Sequence, residues 1–214
     1  RRQRQMCIRD SNNATTGAIT LNTKSVTFTG SSSDVAAALT GITAYTGAVT
    51  LNTDHNLDQL KIINTASTGT LNLNAGSKSV TLSGSSSDVS AALTGITAYT
   101  GAVTLNTDHT LDQLKIINTA STGTLNLKAG SKSVALSGDT ADIKAALAGI
   151  TAYTGNVNIG DTADDVILAS DINTIDGSAT GTITIDNQIV LKGNSDVVQT
   201  APVSYTHLTL PTNC

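Results

Sequence analysis

The sequence predicts an α/β repeat, a solenoid-like array of short strands and two-turn helices with about 54 residues per unit, with a β-solenoid as the alternative architecture. Three observations predict it. Gly30–Ser67 and Gly84–Ser121 differ at only two positions, Ala36/Ser90 and Asn56/Thr110. A diverged copy follows from Thr122. Within each copy the apolar spacing switches between the period of a strand and that of a helix. The units are read as 16–67, 68–121 and 122–181, with a partial unit at 182–202; together, residues 11–202 form a single array.

The second unit sets the pattern. Thr70-Leu71-Asn72-Leu73-Asn74 alternates apolar and polar, as a half-buried strand does. Ala75-Gly76-Ser77-Lys78 has turn chemistry, and Ser79-Val80-Thr81-Leu82-Ser83 alternates again, which predicts a tight strand–turn–strand. The first copy is two residues shorter in that connection, a loss that keeps inward side chains inward. Ser85-Ser86-Ser87-Asp88 before Val89, Ala92, Leu93 and Ile96 reads as a helix start, with Gly95 as its stop. Ala102–Asn106 is a third strand, and Leu111, Leu114 and Ile117 mark a second short helix ending at Asn118. Strand–helix–strand passages of about 22 residues are long enough for parallel crossovers. Neither helix is long enough to stand without packing.

The third unit drifts. Its first helix starts at Asp139-Thr140-Ala141-Asp142, and the stretch after Gly155 runs four residues longer than its counterparts. Thr182–Leu191 reads as a further hairpin turning at Asp186-Asn187, and Gly193–Val198 as a fourth helix start.

The two ends read differently. Arg1–Ser11, RRQRQMCIRDS, resembles a frame-read of a transposon adapter used in shotgun sequencing libraries, and Pro202–Thr212 resembles the reverse complement of the same adapter. Residues 1–10 and 203–214 are therefore set aside as artefact, leaving a metagenomic fragment whose array is expected to continue beyond both ends. The competing reading of the first segment is a basic arm that binds nucleic acid. Without the two ends there is no Arg, Met or Cys, and eight Lys face fifteen Asp with no Glu, a net charge of −7. An acidic, Arg-free chain repels phosphate backbones, which argues against nucleic acid as a partner. No apolar run approaches the roughly 20 residues that span a bilayer.

Few residues invite a chemical role. His55 and His109 follow Asp54 and Asp108 at equivalent positions; such a pair serves as a base or a metal ligand, or is a surface residue in a helix-entry turn copied with its repeat. Asp161, Asp164, Asp165, Asp171 and Asp176 are the densest acidic run, yet match no calcium-loop pattern, and helix N-caps account for most of them. Tyr45, Tyr99 and Tyr153 recur in an ITAYTG connector, either as a ladder for stacking sugars or as packing against the layer below. The outward Thr70, Asn72, Thr81 and Thr104 form either a polar binding face or solvated sheet. No phosphate loop, carboxylate pair or nucleophile elbow appears, so no catalytic, cofactor-binding or metal residue is assigned and no enzyme is expected.

The TG-x-[VIL]-T-[LI] strands, the SSSDVAAALTGI and LDQLKIIN helices, and the Thr/Ser/Asn/Asp bias resemble the repeat regions of large bacterial secreted or cell-surface β-strand-repeat, adhesin-like proteins. The resemblance implies an extracellular or cell-surface spacer, coat or adhesive role, with neighbouring repeats of the parent chain and surface glycans as partners. A glycan- or calcium-binding repeat module is the alternative.

Overall fold

A computed structural model describes residues 2–15 and 19–200; the adapter-like stretch 203–214 lies outside them. The chain is mixed α/β, with short parallel strands in small open sheets. In order it forms α1 (Arg2–Ala14), β1 (Phe28–Gly30), α2 (Ser32–Leu39), β2 (Val49–Leu51), α3 (Leu57–Ala66), β3 (Leu71–Asn72), β4 (Leu82–Gly84) and α4 (Ser86–Leu93). It continues with β5 (Val103–Leu105), α5 (Leu111–Ala120), β6 (Leu125–Asn126), β7 (Leu136–Gly138), α6 (Thr140–Leu147), β8 (Val157–Ile159) and β9 (Val166–Leu168). The last elements are α7 (Ala169–Ser178), β10 (Ile183–Ile185), β11 (Val190–Lys192) and α8 (Ser195–Thr200). The chain divides into two compact units, Arg1–Asn106 with Ala120–Asn126, and Thr107–Thr119 with Leu127–Cys214.

Sheet pairing is parallel throughout and joins consecutive strands in the first two sheets, whereas the pairings of β8 with β10 and β9 with β11 interleave. β2 pairs with β1 and β3, with Phe28 against Val49 and Val49 against Leu71. β5 pairs with β4 and β6, with Leu82 against Val103 and Val103 against Leu125. β8 pairs with β7 and β10, and β9 with β11. Each pairing links strands about 21 to 26 residues apart, as the strand–helix–strand reading requires.

The two expected hairpins do not form. β3 turns back on β2, β4 goes forward to β5, and a 3-10 turn at Ala75–Ser79 separates them. The turn residues are those the sequence marked, but Ser77 is buried and its hydroxyl donates to the Thr53 carbonyl and the Asp54 carboxylate, 3.1 and 3.0 Å away. That anchoring holds the segment beside the α3 entry loop instead of letting it close a two-stranded ribbon. Likewise β10 joins β8 and β11 joins β9, so Thr182–Leu191 is two strands of two sheets.

α2 and α4 start where the caps predicted, and α3 and α5 carry caps that the apolar spacing alone did not mark. Ser31 and Ser85 side chains accept from the Asp34 and Asp88 backbone N–H groups, at 3.1 and 3.0 Å. Asn56 forms a capping box with Gln59, and Thr110 with Gln113, so both residues found at that variable position are caps. α2 and α4 run eight residues each, and Gly41 and Gly95 follow them in the left-handed region at φ +74° and +72°. α3 and α5 run on to Ala66 and Ala120, two residues past the expected end at Asn118 in α5. No helix among the described residues is long and apolar enough to cross a membrane.

The core of the first unit gathers Phe28, Val35, Leu39, Tyr45, Val49, Leu51 and Ile63. Its neighbouring strands come close at Gly101, where an added Cβ would lie 2.0 Å from the Val80 carbonyl oxygen. Gly123 repeats this against the Gly101 carbonyl oxygen at 2.3 Å, so the pattern TG before each strand is a packing requirement.

Candidate functional site

The connector ITAYTG delivers the tyrosines. Ala44, Ala98 and Ala152 precede them at φ 54°, a left-handed conformation unusual for alanine. Each strained residue turns the following tyrosine inward. Tyr45, Tyr99 and Tyr153 are fully buried, and their hydroxyls donate to the carbonyls of Val26, Val80 and Val134, the last two at 2.7 Å. With no ring face open, they pack against the layer below and do not form a ladder for sugars.

The histidines meet these tyrosines. His55 Nε2 lies 3.1 Å from the Tyr99 hydroxyl, and His109 Nε2 lies 2.9 Å from that of Tyr153. The expectation of a surface histidine is overturned: both imidazoles are 4% exposed. The helix-entry turn tucks the ring inward because a tyrosine 44 residues downstream offers a polar partner there. Since each tyrosine hydroxyl proton goes to a carbonyl, Nε2 must carry the histidine proton and donate to the tyrosine oxygen. Nδ1 is then a buried lone pair with no hydrogen-bond partner. Burial lowers the pKa of both histidines, against a smaller opposing pull from Asp54 and Asp108. Burial likewise raises the tyrosines, Tyr153 to about 12. The pair is held neutral, and the neighbouring Asp54 and Asp108 accept from the Ser77 and Ser131 hydroxyls.

The acidic run is dispersed. Asp161 accepts from the Thr140 backbone and hydroxyl, at 3.0 and 2.5 Å, and so caps α6. Asp165 accepts from the Thr162 backbone, and Asp171 pairs with Lys144 at 2.5 Å. Among the described residues, no group of three or more His, Cys, Asp or Glu side chains is placed to hold a metal.

The outward strand positions line up in register. Thr29, Thr50 and Asn72 form one row, Ser83, Thr104 and Asn126 a second, and Ser137, Asn158 and Thr184 a third. Thr70 and Thr81 flank the strands and are exposed. In β9 and β11 the outward residues change character to Val166, Leu168 and Val190, which are exposed.

Sequence reasoning missed the His–Tyr pairing, the Ser77 anchor and a set of helix-to-helix contacts. Lys61 pairs with Asp88, and Asn64 Nδ2 donates to the carbonyls of Ala91, Ala92 and Thr94 at 2.9, 3.1 and 2.7 Å. The available signal was the exact recurrence of these residues in both copies. Compared with known proteins, the chain matches no family model, no curated protein and no solved structure.

Proposed function

We propose that the chain is a non-enzymatic, solenoid-like structural segment of a large secreted or cell-surface bacterial protein, acting as a spacer with an adhesive role. One observation carries the reading: the residues with chemical potential are spent on joining one unit to the next. His55 and His109 bond tyrosines of the following copy. Lys61 and Lys115 pair with Asp88 and Asp142, and Asn64 and Asn118 bond the carbonyls of the next helix. What is copied is a joint.

A second reading, a repeat module that binds glycans or calcium, is favoured by the three in-register polar rows on the strands. Calcium titration by calorimetry and a glycan array separate the two. The spacer reading expects no heat of binding and no glycan retained; saturable binding of either replaces it with the second reading. Small-angle scattering is a further check: a compact domain of this length has a radius of gyration of about 17 Å, and the spacer reading expects a clearly larger value.

A further inference from the structure

Three helix–helix joints are built alike. On α3, Lys61 pairs with Asp88 in the first turn of α4, while Asn64 donates to the carbonyls of Ala91, Ala92 and Thr94. On α5, Lys115 reaches Asp142 at 2.6 Å, and Asn118 donates to Ala145, Ala146 and Ala148 at 3.2, 3.0 and 2.6 Å. On α1, Arg9 reaches Asp34 at 2.6 Å and Asn12 donates to the Ala37 and Thr40 carbonyls, both at 2.7 Å. The basic residue and the asparagine sit three apart, hence about one turn along one helix face. The receiving helix offers a carboxylate at its start and, at its end, carbonyls with no partner inside the helix.

α1 separates the pair from its surroundings. Aligned through these contacts, it matches the α3 sequence LDQLKIINTA only at Asn12 and Ala14, with Ile8 and Arg9 similar to Leu60 and Lys61. Arg9 lies in the adapter-like stretch and Asn12 outside it. An otherwise unrelated helix thus docks on α2 through the same two side chains. The α7–α8 joint supplies the converse. Asn173 stands at the lysine register, Val197 at the aspartate register and Asp176 at the asparagine register. There Asn173 Nδ2 donates to the Val197 carbonyl at 3.2 Å, a different joint. All three positions have changed together.

We propose that a basic residue followed three positions later by asparagine is a docking code for the outer face of α2, α4 and α6, and that the α2 face is a socket for a Leu57–Ala66-type helix from another copy of this repeat. The proposal concerns which helix that face accepts, and it stands or falls separately from the spacer reading.

Hydrogen exchange by mass spectrometry on the full chain tests the code. Arg9→Asp is expected to lower amide protection across residues 8–14 by about tenfold or more, and adding Asp34→Arg to restore it; protection of α5 and α6, unchanged throughout, reports that the chain stays folded. A loss that Asp34→Arg does not restore, or no loss at all, overturns the code. The socket is tested on the Arg9→Ala/Asn12→Ala chain with a labelled peptide LDQLKIINTA. Binding with a dissociation constant at or below about 1 mM is expected, and none for the same peptide with its lysine and asparagine replaced by alanine. Equal binding of the two peptides, or binding of neither, overturns the socket.

Discussion

His55 Nε2 donates to the hydroxyl oxygen of Tyr99 across 3.1 Å, and 54 residues on His109 repeats the bond to Tyr153 at 2.9 Å. In each pair the tyrosine hydroxyl donates in turn to a valine carbonyl, so the chain of donors runs one way. The neutral imidazole fits this arrangement. A second proton, on Nδ1, would be a buried charged donor without a partner.

Acid should therefore loosen the fold in two stages. The groups facing the histidines are Asp54 and Tyr99, and Asp108 and Tyr153. Burial places the folded-state histidine pKa below the ordinary value near 6.5. Between those two values the unfolded chain binds more protons, so stability is complete above about pH 6.5 and falls as the pH drops. The limit is about 1.4 kcal/mol per pH unit for each histidine. Asp34, Asp88 and Asp108, lowered mainly by bonds to Arg9, Lys61 and Ser131, lose their contribution only below the usual carboxylate range. Urea unfolding of His55→Gln/His109→Gln should show a flattened dependence between pH 6.5 and about pH 4.5 and an unchanged loss below it. An unaltered slope in the upper range rules the histidines out.

The tyrosine hydroxyls should not be equivalent. Tyr99→Phe and Tyr153→Phe each leave a valine carbonyl and a histidine N–H without partners in the core, at about 1–3 kcal/mol. Tyr45 donates to Val26 and faces no histidine among the described residues, so Tyr45→Phe leaves only the carbonyl. Chemical denaturation should rank Tyr45→Phe as milder than the other two by about 1 kcal/mol.

The part of this structure that was legible in the sequence is local. Helix starts and strand alternation depend on neighbours within a few residues, and Ser85 and the Val103-Thr104-Leu105 strand read correctly for that reason, while the cap at Asn56 went unread. The hairpins failed because alternation tells where a strand lies but not which partner it takes. Ser77, bonded 23 and 24 residues back, decides against the ribbon. His55 was misjudged on the same ground, since its partner lies 44 residues away. Only the second copy carried a hint: residues kept identical with no local duty are the ones used at a distance.

Glycine placement gives a paired prediction. Gly101→Ala would drive a Cβ to 2.0 Å from a backbone oxygen and 2.9 Å from the Tyr99 ring. Neither can withdraw, because both are held by the His55–Tyr99–Val80 chain of bonds. Thermal unfolding should show a loss of more than about 2 kcal/mol. At Gly76, in the 3-10 turn, a Cβ meets nothing within 4 Å, and Gly76→Ala should stay within about 0.5 kcal/mol of the parent.

A single repeat should not fold alone. Excising Thr68–Ser121 removes β2, the partner of β3, and α3 with the Lys61 and Asn64 contacts to α4. It also removes His55 from Tyr99 and the Asp54 carboxylate from Ser77. What remains is two helices of eight and ten residues and three strands of two or three residues, each below the length that is stable without neighbours. Circular dichroism of the isolated unit should show a coil spectrum with no cooperative melt. The complete chain should melt cooperatively in the same buffer, and cooperative melting of both would place the stabilising contacts within the unit and not at its joints.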